Sequence, residues 1–532
     1  MAKLLDIDRF DTISLRGQKS ILMEYGVYHD IVMPFLDVDN YSVLYTEEGR
    51  SPSNLRYLIM AVFLREKLHC SQEELIMSLD CNIGCQYAMG TTKREKQPVS
   101  ERNLQYFYER LRNYEEATGT NLIENTAMSI SHEMARLMGF NIDKYADGDV
   151  LLTRMDSMMI AGSAARLNRT GILYVTNQRA LDLYASLVGQ SDVPPQLHHY
   201  YVEDDRNAVI YHNKGNLMDK LQVLLDENLL IQKLMTDEAW KGFSAVVNLK
   251  RVFDDQSKVD GKNPEKFVPK ENNEIEGSSL QSPIDPLETA RTKARQTYVG
   301  YCGNFKEAYD MKGHSVIISA DIQDNLYTDI QYAKDEIEKR TKAGGPVEQC
   351  VHDGAFFNTS ILEPASEAGI ILIPTALTAG ITNPLYGNFV LSKDGKTVEN
   401  CPNGHSPMTQ YFSESKGKIV AKFDKGKCAI CPYAFTCPNE CQSRAIKVEV
   451  NENLVIRGEY TASFDYEEHK RVARYRNGVE AIPSIMRRVY RIDDLATMDS
   501  STRRTRFFAC ILCYNCQKYA KFMRDSEKTA AA

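Results

Sequence analysis

The chain has 532 residues, with 64 Lys and Arg against 72 Asp and Glu, so its formal net charge is −8. Its 43% hydrophobic and 26% charged residues are typical of a soluble globular protein and exclude collagen-like, wholly disordered and membrane-spanning classes. The mild acidity argues against uniform coating of nucleic acid but leaves local basic patches open. Thirteen cysteines, an odd number, and an N-terminus without a long apolar signal predict reduced thiols and a cytoplasmic protein.

Residues 1–145 are predicted to form a helical N-terminal domain. Ser71 and Glu74 have the spacing of a capping box before the apolar positions of a helix. A further helix is predicted to begin at Ser100 and to bury Leu104 and Phe107. Short helices followed by the basic segment at 93–96 are compatible with a helix-turn-helix DNA reader and equally with a packing or dimerisation module.

The rest of the chain alternates strand-like and helical patterns. A β-rich apolar run at 150–160 is followed by helical patterns at about 164–250 and by a polar segment at 253–289 with the composition of a linker. Strand-like runs at 298–301, 315–318, 347–352 and 369–373 then flank an amphipathic segment at 330–340. This alternation predicts an α/β core made of 146–380 and 466–525, interrupted by a cysteine-bearing insertion at 381–465.

Three acids stand out by position. Asp156 lies inside an apolar strand, Asp353 follows a strand and precedes a glycine, and Glu480 lies in a predicted basic helix at 470–490. Each alone is typical of a structural acid, but together they suit Mg²⁺, which prefers carboxylate oxygens. Arg476, Glu480 and Arg487 are spaced so that one continuous helix would place them within roughly 40° on one face.

These residues resemble bacterial insertion-sequence transposases of the DDE class. In related insertion sequences the third acid lies in Tyr-x2-Arg-x3-Glu-x6-Lys, and this chain has Arg476-x3-Glu480-x6-Arg487, with Ala473 at the tyrosine position. The segment Arg154-Met-Asp156-Ser-Met-Met-Ile-Ala-Gly162 is similar to the first motif of the family. The segment His352-Asp353-Gly354-Ala-Phe-Phe-Asn358 is similar to the second, and the resemblance covers most of the chain.

The resemblance implies a ribonuclease-H-like mixed sheet and a two-metal mechanism. Asp156, Asp353 and Glu480 would bind Mg²⁺ or Mn²⁺, and Arg476, Arg487 and Arg488 would contact phosphate. The substrate would be the inverted-repeat DNA ends of the element and a target DNA, and pairing two ends implies a homodimer. A metal-dependent nuclease without strand transfer and a domesticated, non-catalytic DNA-binding protein are the alternative functions.

A second set of residues predicts a structural zinc site. Cys401, Cys428, Cys431 and Cys437 are the preferred tetrahedral ligands, and His405 or Cys441 are possible substitutes. A redox pair and simple buried thiols are the alternatives.

Two further features concern the C-terminal part of the chain. Cys510, Cys513 and Cys516 lie in an apolar helical pattern at 507–522, which favours core packing. Residues 470–524 contain thirteen Lys and Arg but four Asp and Glu, which predicts a local positive region around Glu480 for binding phosphates.

Overall fold

The computed structural model describes residues 8–45, 54–94, 96–143, 150–162, 167–202, 205–212, 216–293, 295–378, 380–494 and 499–531. The predicted boundaries near residues 145 and 164 lie outside the described residues. The chain is a mixed α/β protein with a helical N-terminal region, as predicted. The N-terminal α-helices are α1 (Leu15–Val27), α2 (Leu55–Leu68), α3 (Gln72–Cys81), α4 (Ile83–Ala88), α5 (Glu101–Thr118) and α6 (Leu122–Leu137).

The capping box predicted at the start of α3 is confirmed. The Glu74 amide donates to Ser71 Oγ at 3.2 Å, and the Ser71 amide donates to Glu74 Oε2 at 2.7 Å. Ser100 caps α5, whose Leu104 and Phe107 are buried as expected from their spacing. Local capping and periodicity therefore predict the starts of α3 and α5 correctly.

The central sheet combines antiparallel and parallel strands. Five of its strands run in the order β6, β5, β1, β7, β8, and β4 pairs with the first residues of β5. The pairs β6–β5 and β5–β1 are antiparallel, whereas β1–β7 and β7–β8 are parallel. The strands are β1 (Leu151–Ala161), β4 (Thr289–Lys293), β5 (Gln296–Tyr309), β6 (Ser315–Asp324), β7 (Glu348–His352) and β8 (Ile370–Pro374).

Helices cover both faces of the sheet. On one face α11 (Asp329–Ala343) and α12 (Leu362–Glu367) pack over Met155 and Cys350. On the other face the C-terminal helix α17 (Ser500–Ala531) lies between the sheet and the N-terminal helices α2 and α6. Residues of the N-terminal region, α17 and the sheet thus form one continuous hydrophobic core, so the predicted N-terminal domain does not have a core of its own.

The helical insertion after β1 has a separate core. It contains α7 (Arg169–Leu187), α8 (Asp205–Asn207), α9 (Leu217–Leu234) and α10 (Ser244–Gln256). The segment 253–289, predicted as a linker, is only partly irregular: it holds the end of α10 and a hairpin of β2 (Ser257–Asp260) and β3 (Asn263–Pro269). Phe267 of this hairpin packs against Phe253, a contact between residues too far apart for local composition to reveal.

The cysteine-bearing insertion is a small β-rich unit. Its larger sheet has the order β11, β12, β14, β13, and Ile419, Phe423 and Val448 form part of its core. Its elements are β9 (Val390–Leu391), β10 (Val398–Asn400), β11 (Thr409–Ser413), β12 (Lys418–Asp424), α13 (Lys425–Ala429), β13 (Glu440–Cys441), β14 (Ala445–Val450) and α14 (Glu452–Ser463). The ring of Tyr460 in α14 packs on Phe357, which places the insertion beside the end of β7.

The basic segment that follows is not one helix. It forms α15 (Glu467–Arg474), a 3-10 turn (Tyr475–Gly478) and α16 (Ala481–Arg488). Pro483 has no amide hydrogen to donate to the Val479 carbonyl, so an uninterrupted helix would lack a bond at this point. No helix of the described residues is long and apolar enough to cross a membrane.

Candidate active site

Strand register brings the first two predicted acids together. Arg154 of β1 pairs in parallel with Val351 of β7, so Asp156 lies beside Asp353, two residues further along each strand direction. Asp353 follows the last residue of β7, where its Oδ1 accepts the Ala355 amide at 3.1 Å. The pairing of β1 with β7 therefore places Asp156, in the middle of the longer strand β1, next to the end of β7, where Asp353 lies.

Glu480 reaches the same place, beside Asp156 and the end of β7, from the interrupted basic segment. It lies directly before α16, whose buried Ile482 and Met486 pack in the core on the face of the sheet covered by α17. The side chain of Glu480 is 55% exposed, whereas that of Asp156 is 11% exposed. The third acid is therefore held by a turn against the sheet rather than by the middle of a helix.

The three predicted acids meet at one guanidinium group. Arg476 Nη2 lies 3.6 Å from Asp156 Oδ1 and 3.6 Å from Asp353 Oδ2. Arg476 Nη1 lies 2.5 Å from Glu480 Oε1. Carboxylates from a strand, a strand end and a turn thus surround a single positive charge, whose side chain is 16% exposed. The structure brings together the acids that were predicted from three distant parts of the sequence.

The environment of Asp156 changes its ionisation. The pKa of its carboxyl is raised to about 6, chiefly because burial disfavours the charged form. The carboxylates of Glu480 and Asp353 raise this pKa as well, whereas the Ser157 amide and the Arg476 guanidinium lower it.

We expect Asp156 to destabilise the folded chain at neutral pH. Because its pKa is raised on folding, the folded state binds more protons than the unfolded state between about pH 4 and pH 6, and the free energy of unfolding falls as pH rises through that window. Asp156→Asn is expected to raise the free energy of unfolding at pH 8 by about 1–3 kcal/mol and to change it little near pH 4. Thermal unfolding at the two pH values, in buffer without divalent ions, measures this. An equal gain at both would contradict it.

The donor set at this site suits a hard divalent ion. Three carboxylates are the oxygen ligands that Mg²⁺ and Mn²⁺ prefer, and the cationic Arg476 now lies among them. Within the part of the chain that the structure describes, no three His, Cys, Asp or Glu side chains are grouped as ligands of a metal ion, either here or elsewhere. Metal binding at the acids therefore stays a prediction, supported by the chemistry of the donors.

Arg487, the second predicted phosphate-binding arginine, contacts groups other than the three acids. Arg487 Nη2 donates to the Met159 carbonyl at 2.6 Å, and its Nε donates to Asp493 Oδ2 at 3.1 Å. The predicted common helix face of Arg476, Glu480 and Arg487 is wrong, because the turn at 475–478 ends α15 before Glu480. Arg488 is exposed on α16.

The four preferred cysteines line one cavity of the insertion. Cys428 lies in α13, Cys401 follows β10, and Cys431 and Cys437 lie in the turn after α13. His405 and Cys441, the possible substitutes, line the same cavity, and Cys441 is exposed.

Burial and neighbouring thiols raise the pKa of two of these cysteines. The pKa of the Cys428 thiol is raised by burial and then by the thiols of Cys401, Cys431 and Cys437. The pKa of Cys437 is raised by burial and by Cys401 and Cys431, against a hydrogen bond from Asn439. Thiols are the ligand type of a closed tetrahedral zinc site, and these four line one cavity, but no three of them are grouped as metal ligands among the described residues, so the zinc site stays a prediction.

Core packing of the last three cysteines is confirmed. Cys510, Cys513 and Cys516 are buried in α17, and Cys513 Sγ lies 3.3 Å from the Phe63 carbonyl oxygen. Burial raises the pKa of each of these thiols, which keeps them protonated.

Sequence reasoning missed the charged residues beside the acids. Arg154 is buried on β1 and ion-paired with the fully buried Glu307. Arg154 and Asp156 are two positions apart on a strand, so they share a face, and that alternation was the available signal. The partner of Arg154, which lies on β5, could not be identified from local sequence.

Comparison with known proteins provides no relative for this chain. No family model, curated protein or solved structure matches it.

Proposed function

We propose that this chain is a DDE transposase that binds the inverted-repeat ends of an insertion sequence and catalyses Mg²⁺-dependent DNA strand cleavage and strand transfer. The observation that carries the proposal is the convergence of Asp156, Asp353 and Glu480 on the single guanidinium of Arg476. Two-metal phosphoryl transfer requires acids from separate elements that come together at one point, as these three do.

The topology supports a ribonuclease-H-like core. Counted within the core, the strand order is third, second, first, fourth, fifth, with antiparallel pairing among the first three strands and parallel pairing beyond. Asp156 is on the first of these strands and Asp353 follows the fourth. These are the positions that the resemblance of the sequence motifs implies for the first two catalytic acids.

In the proposed reaction the side chains bind and orient the phosphodiester. Divalent ions held by the three acids would stabilise the charge that develops on the phosphate during in-line attack by a water or a 3′-hydroxyl. Arg476 is placed to contact a phosphate oxygen of DNA at the acids, and exposed Arg488 is placed to contact the backbone further along. Because attack is direct, no serine or tyrosine nucleophile is required.

The remaining parts take supporting roles in the proposal. The N-terminal helices would bind the ends of the element, and a homodimer would hold two ends together. The cysteine-bearing insertion would be stabilised by zinc held by Cys401, Cys428, Cys431 and Cys437, which would have no position free for catalysis. This unit contacts the core near the acids, since Arg457 donates to the Thr378 carbonyl at 2.6 Å.

The test is a strand-transfer assay. Purified full-length protein is incubated in Mg²⁺ with labelled terminal DNA of the element and a supercoiled plasmid. We expect labelled ends to become covalently joined to plasmid, and omission of Mg²⁺ to prevent joining. Cutting without joining would support the metal-dependent nuclease instead, and binding without cutting would support the non-catalytic DNA-binding protein.

A further inference from the structure

A buried arginine connects the strand of Asp156 to the turn that precedes Glu480. Arg154 lies on β1, two residues before Asp156, and is 7% exposed. Its Nη1 donates to the Tyr475 carbonyl at 2.6 Å. Tyr475 begins the turn that contains Arg476 and leads to Glu480. The side chain of Arg154 therefore joins the strand of Asp156 to the turn that leads to Glu480.

The guanidinium of Arg154 is itself held rigidly. Its Nε donates to Glu307 Oε2 at 2.8 Å, and its Nη2 lies 2.6 Å from the same oxygen. The other oxygen of this carboxylate, Glu307 Oε1, accepts a hydrogen bond from the Tyr514 hydroxyl of α17 at 3.0 Å. The ring of Tyr309 lies 5.0 Å from the Arg154 guanidinium carbon. A charge buried this deeply needs such partners, and they leave its fork little freedom.

The turn is fitted closely around Arg154. The ring of Tyr475 stacks on Tyr309 with centroids 5.4 Å apart and planes 22° apart. Gly478, the last residue of the turn, passes so near that a Cβ at this position would overlap the guanidinium of Arg154. The backbone of the turn is thus bound at its first residue and closely packed at its last, two residues before Glu480.

We infer that Arg154 is the positioning residue that fixes the turn 475–478 and thereby sets Glu480 and Arg476 against Asp156. The inference rests on the proposed function for its catalytic consequence, although the positioning itself is a property of the fold. Arginine is required because one planar guanidinium makes contacts in two fixed directions. Its Nε and Nη2 bind Glu307, and its Nη1 binds the Tyr475 carbonyl. Lysine would keep the charge but could not make both sets of contacts.

Arg506 provides a matched control for Arg154→Lys. It is also buried and ion-paired with a buried acid, through Nε and Nη2 to Glu66 at 2.8 and 3.1 Å, but Glu66 lies on α2 and the pair makes no contact with the turn. Arg154→Lys and Arg506→Lys therefore remove comparable buried contacts, and only the first removes the bond to Tyr475. Gly478→Ala alters the same turn from the other side.

The first measurement is amide hydrogen exchange of the full-length protein without metal or DNA. In Arg154→Lys and Gly478→Ala we expect peptides covering 475–481 to exchange at least about tenfold faster, whereas Arg506→Lys leaves them unchanged. Unaltered exchange of 475–481 in Arg154→Lys, or equal acceleration in Arg506→Lys, would overturn the inference. This result does not depend on whether the protein is a transposase.

The second measurement is calorimetric binding of Mn²⁺ to the same variants. Mispositioned Glu480 is expected to weaken Mn²⁺ binding about tenfold in Arg154→Lys and to leave it within twofold in Arg506→Lys. Accelerated exchange with unchanged Mn²⁺ affinity would overturn the role of Arg154 in setting the acids. Absence of Mn²⁺ binding by the unmodified protein would instead contradict the proposed function, while the exchange result would still decide the positioning.

Discussion

Asp156→Asn, Asp353→Asn and Glu480→Gln are each expected to abolish strand cleavage and strand transfer. The three carboxylates surround one cationic point at the edge of the sheet, and each neutral amide removes a negative ligand while keeping nearly the same shape. A loss of about 4 kcal/mol of transition-state stabilisation slows the reaction about a thousandfold, and we expect at least that effect in Mg²⁺. Cleavage of labelled terminal DNA under single-turnover conditions measures the rate.

Binding of the DNA ends separates this effect from misfolding. The variants should retain end binding in a mobility-shift assay, because the substitutions lie at the sheet edge and not among the N-terminal helices. Asp321→Asn is the matched control: Asp321 is a strand aspartate of the same sheet, its Oδ1 accepts the Ile322 amide at 2.8 Å, and it has no contact with Arg476. Near-normal cleavage by any of the three variants would remove that residue from the catalytic set.

Protein purified without chelator is expected to contain one zinc ion per chain, and Cys428→Ser is expected to lose it. Cys428 lies in α13 and lines the same cavity as the other three preferred ligands, so its substitution tests the predicted site directly. Zinc binding contributes about 10 kcal/mol or more in small zinc-stabilised domains, so its loss should unfold the insertion. Metal analysis by mass spectrometry and limited proteolysis within 381–465 measure the two effects.

Three further serine variants sharpen the zinc experiment. Cys81→Ser changes an exposed cysteine of α3, outside the insertion, and should keep both the zinc and the protease resistance. Cys441→Ser distinguishes the substitute ligand, because loss of zinc in this variant together with retention in Cys437→Ser would exchange their roles. Zinc-free protein with an intact insertion would contradict the site and favour a redox pair or simple buried thiols.

Deep burial of charge explains why part of the predicted basic region is not available to DNA. Arg503 and Arg506 are buried, and Arg504 Nε lies 2.6 Å from Glu124 Oε2 of α6. Arg504 and Arg506 connect α17 to the N-terminal helices, Arg506 through Glu66, whereas Arg503 donates to the Ala161 carbonyl at the end of β1. The local excess of positive charge counted from the sequence overstates the surface charge near Glu480, since acids distant in sequence neutralise some of it.

The residues of the candidate site show what sequence can predict. Asp156 is conspicuous as an acid in an apolar strand, Asp353 as an acid at a strand end, and the four cysteines by a CxxC motif with a further cysteine on each side. Each of these signals is local, and each led to groups that lie together in the structure. Glu480 was also found, although the continuous helix assumed for it is interrupted at 475–478.

The sequence by itself determined the chemical types of the site residues, the capped helices at Ser71 and Ser100 and the main strands of the core, because those depend on residue type and short-range periodicity. Only the tertiary structure decided that Arg476 is the cation among the acids, that Arg487 binds Met159 and Asp493 instead, and that Arg154 reaches Tyr475. Buried charges pair with whatever partner the folded chain brings within hydrogen-bond distance. The Tyr475 carbonyl, which accepts the hydrogen bond of Arg154, is 321 residues away along the chain, beyond the reach of any local pattern.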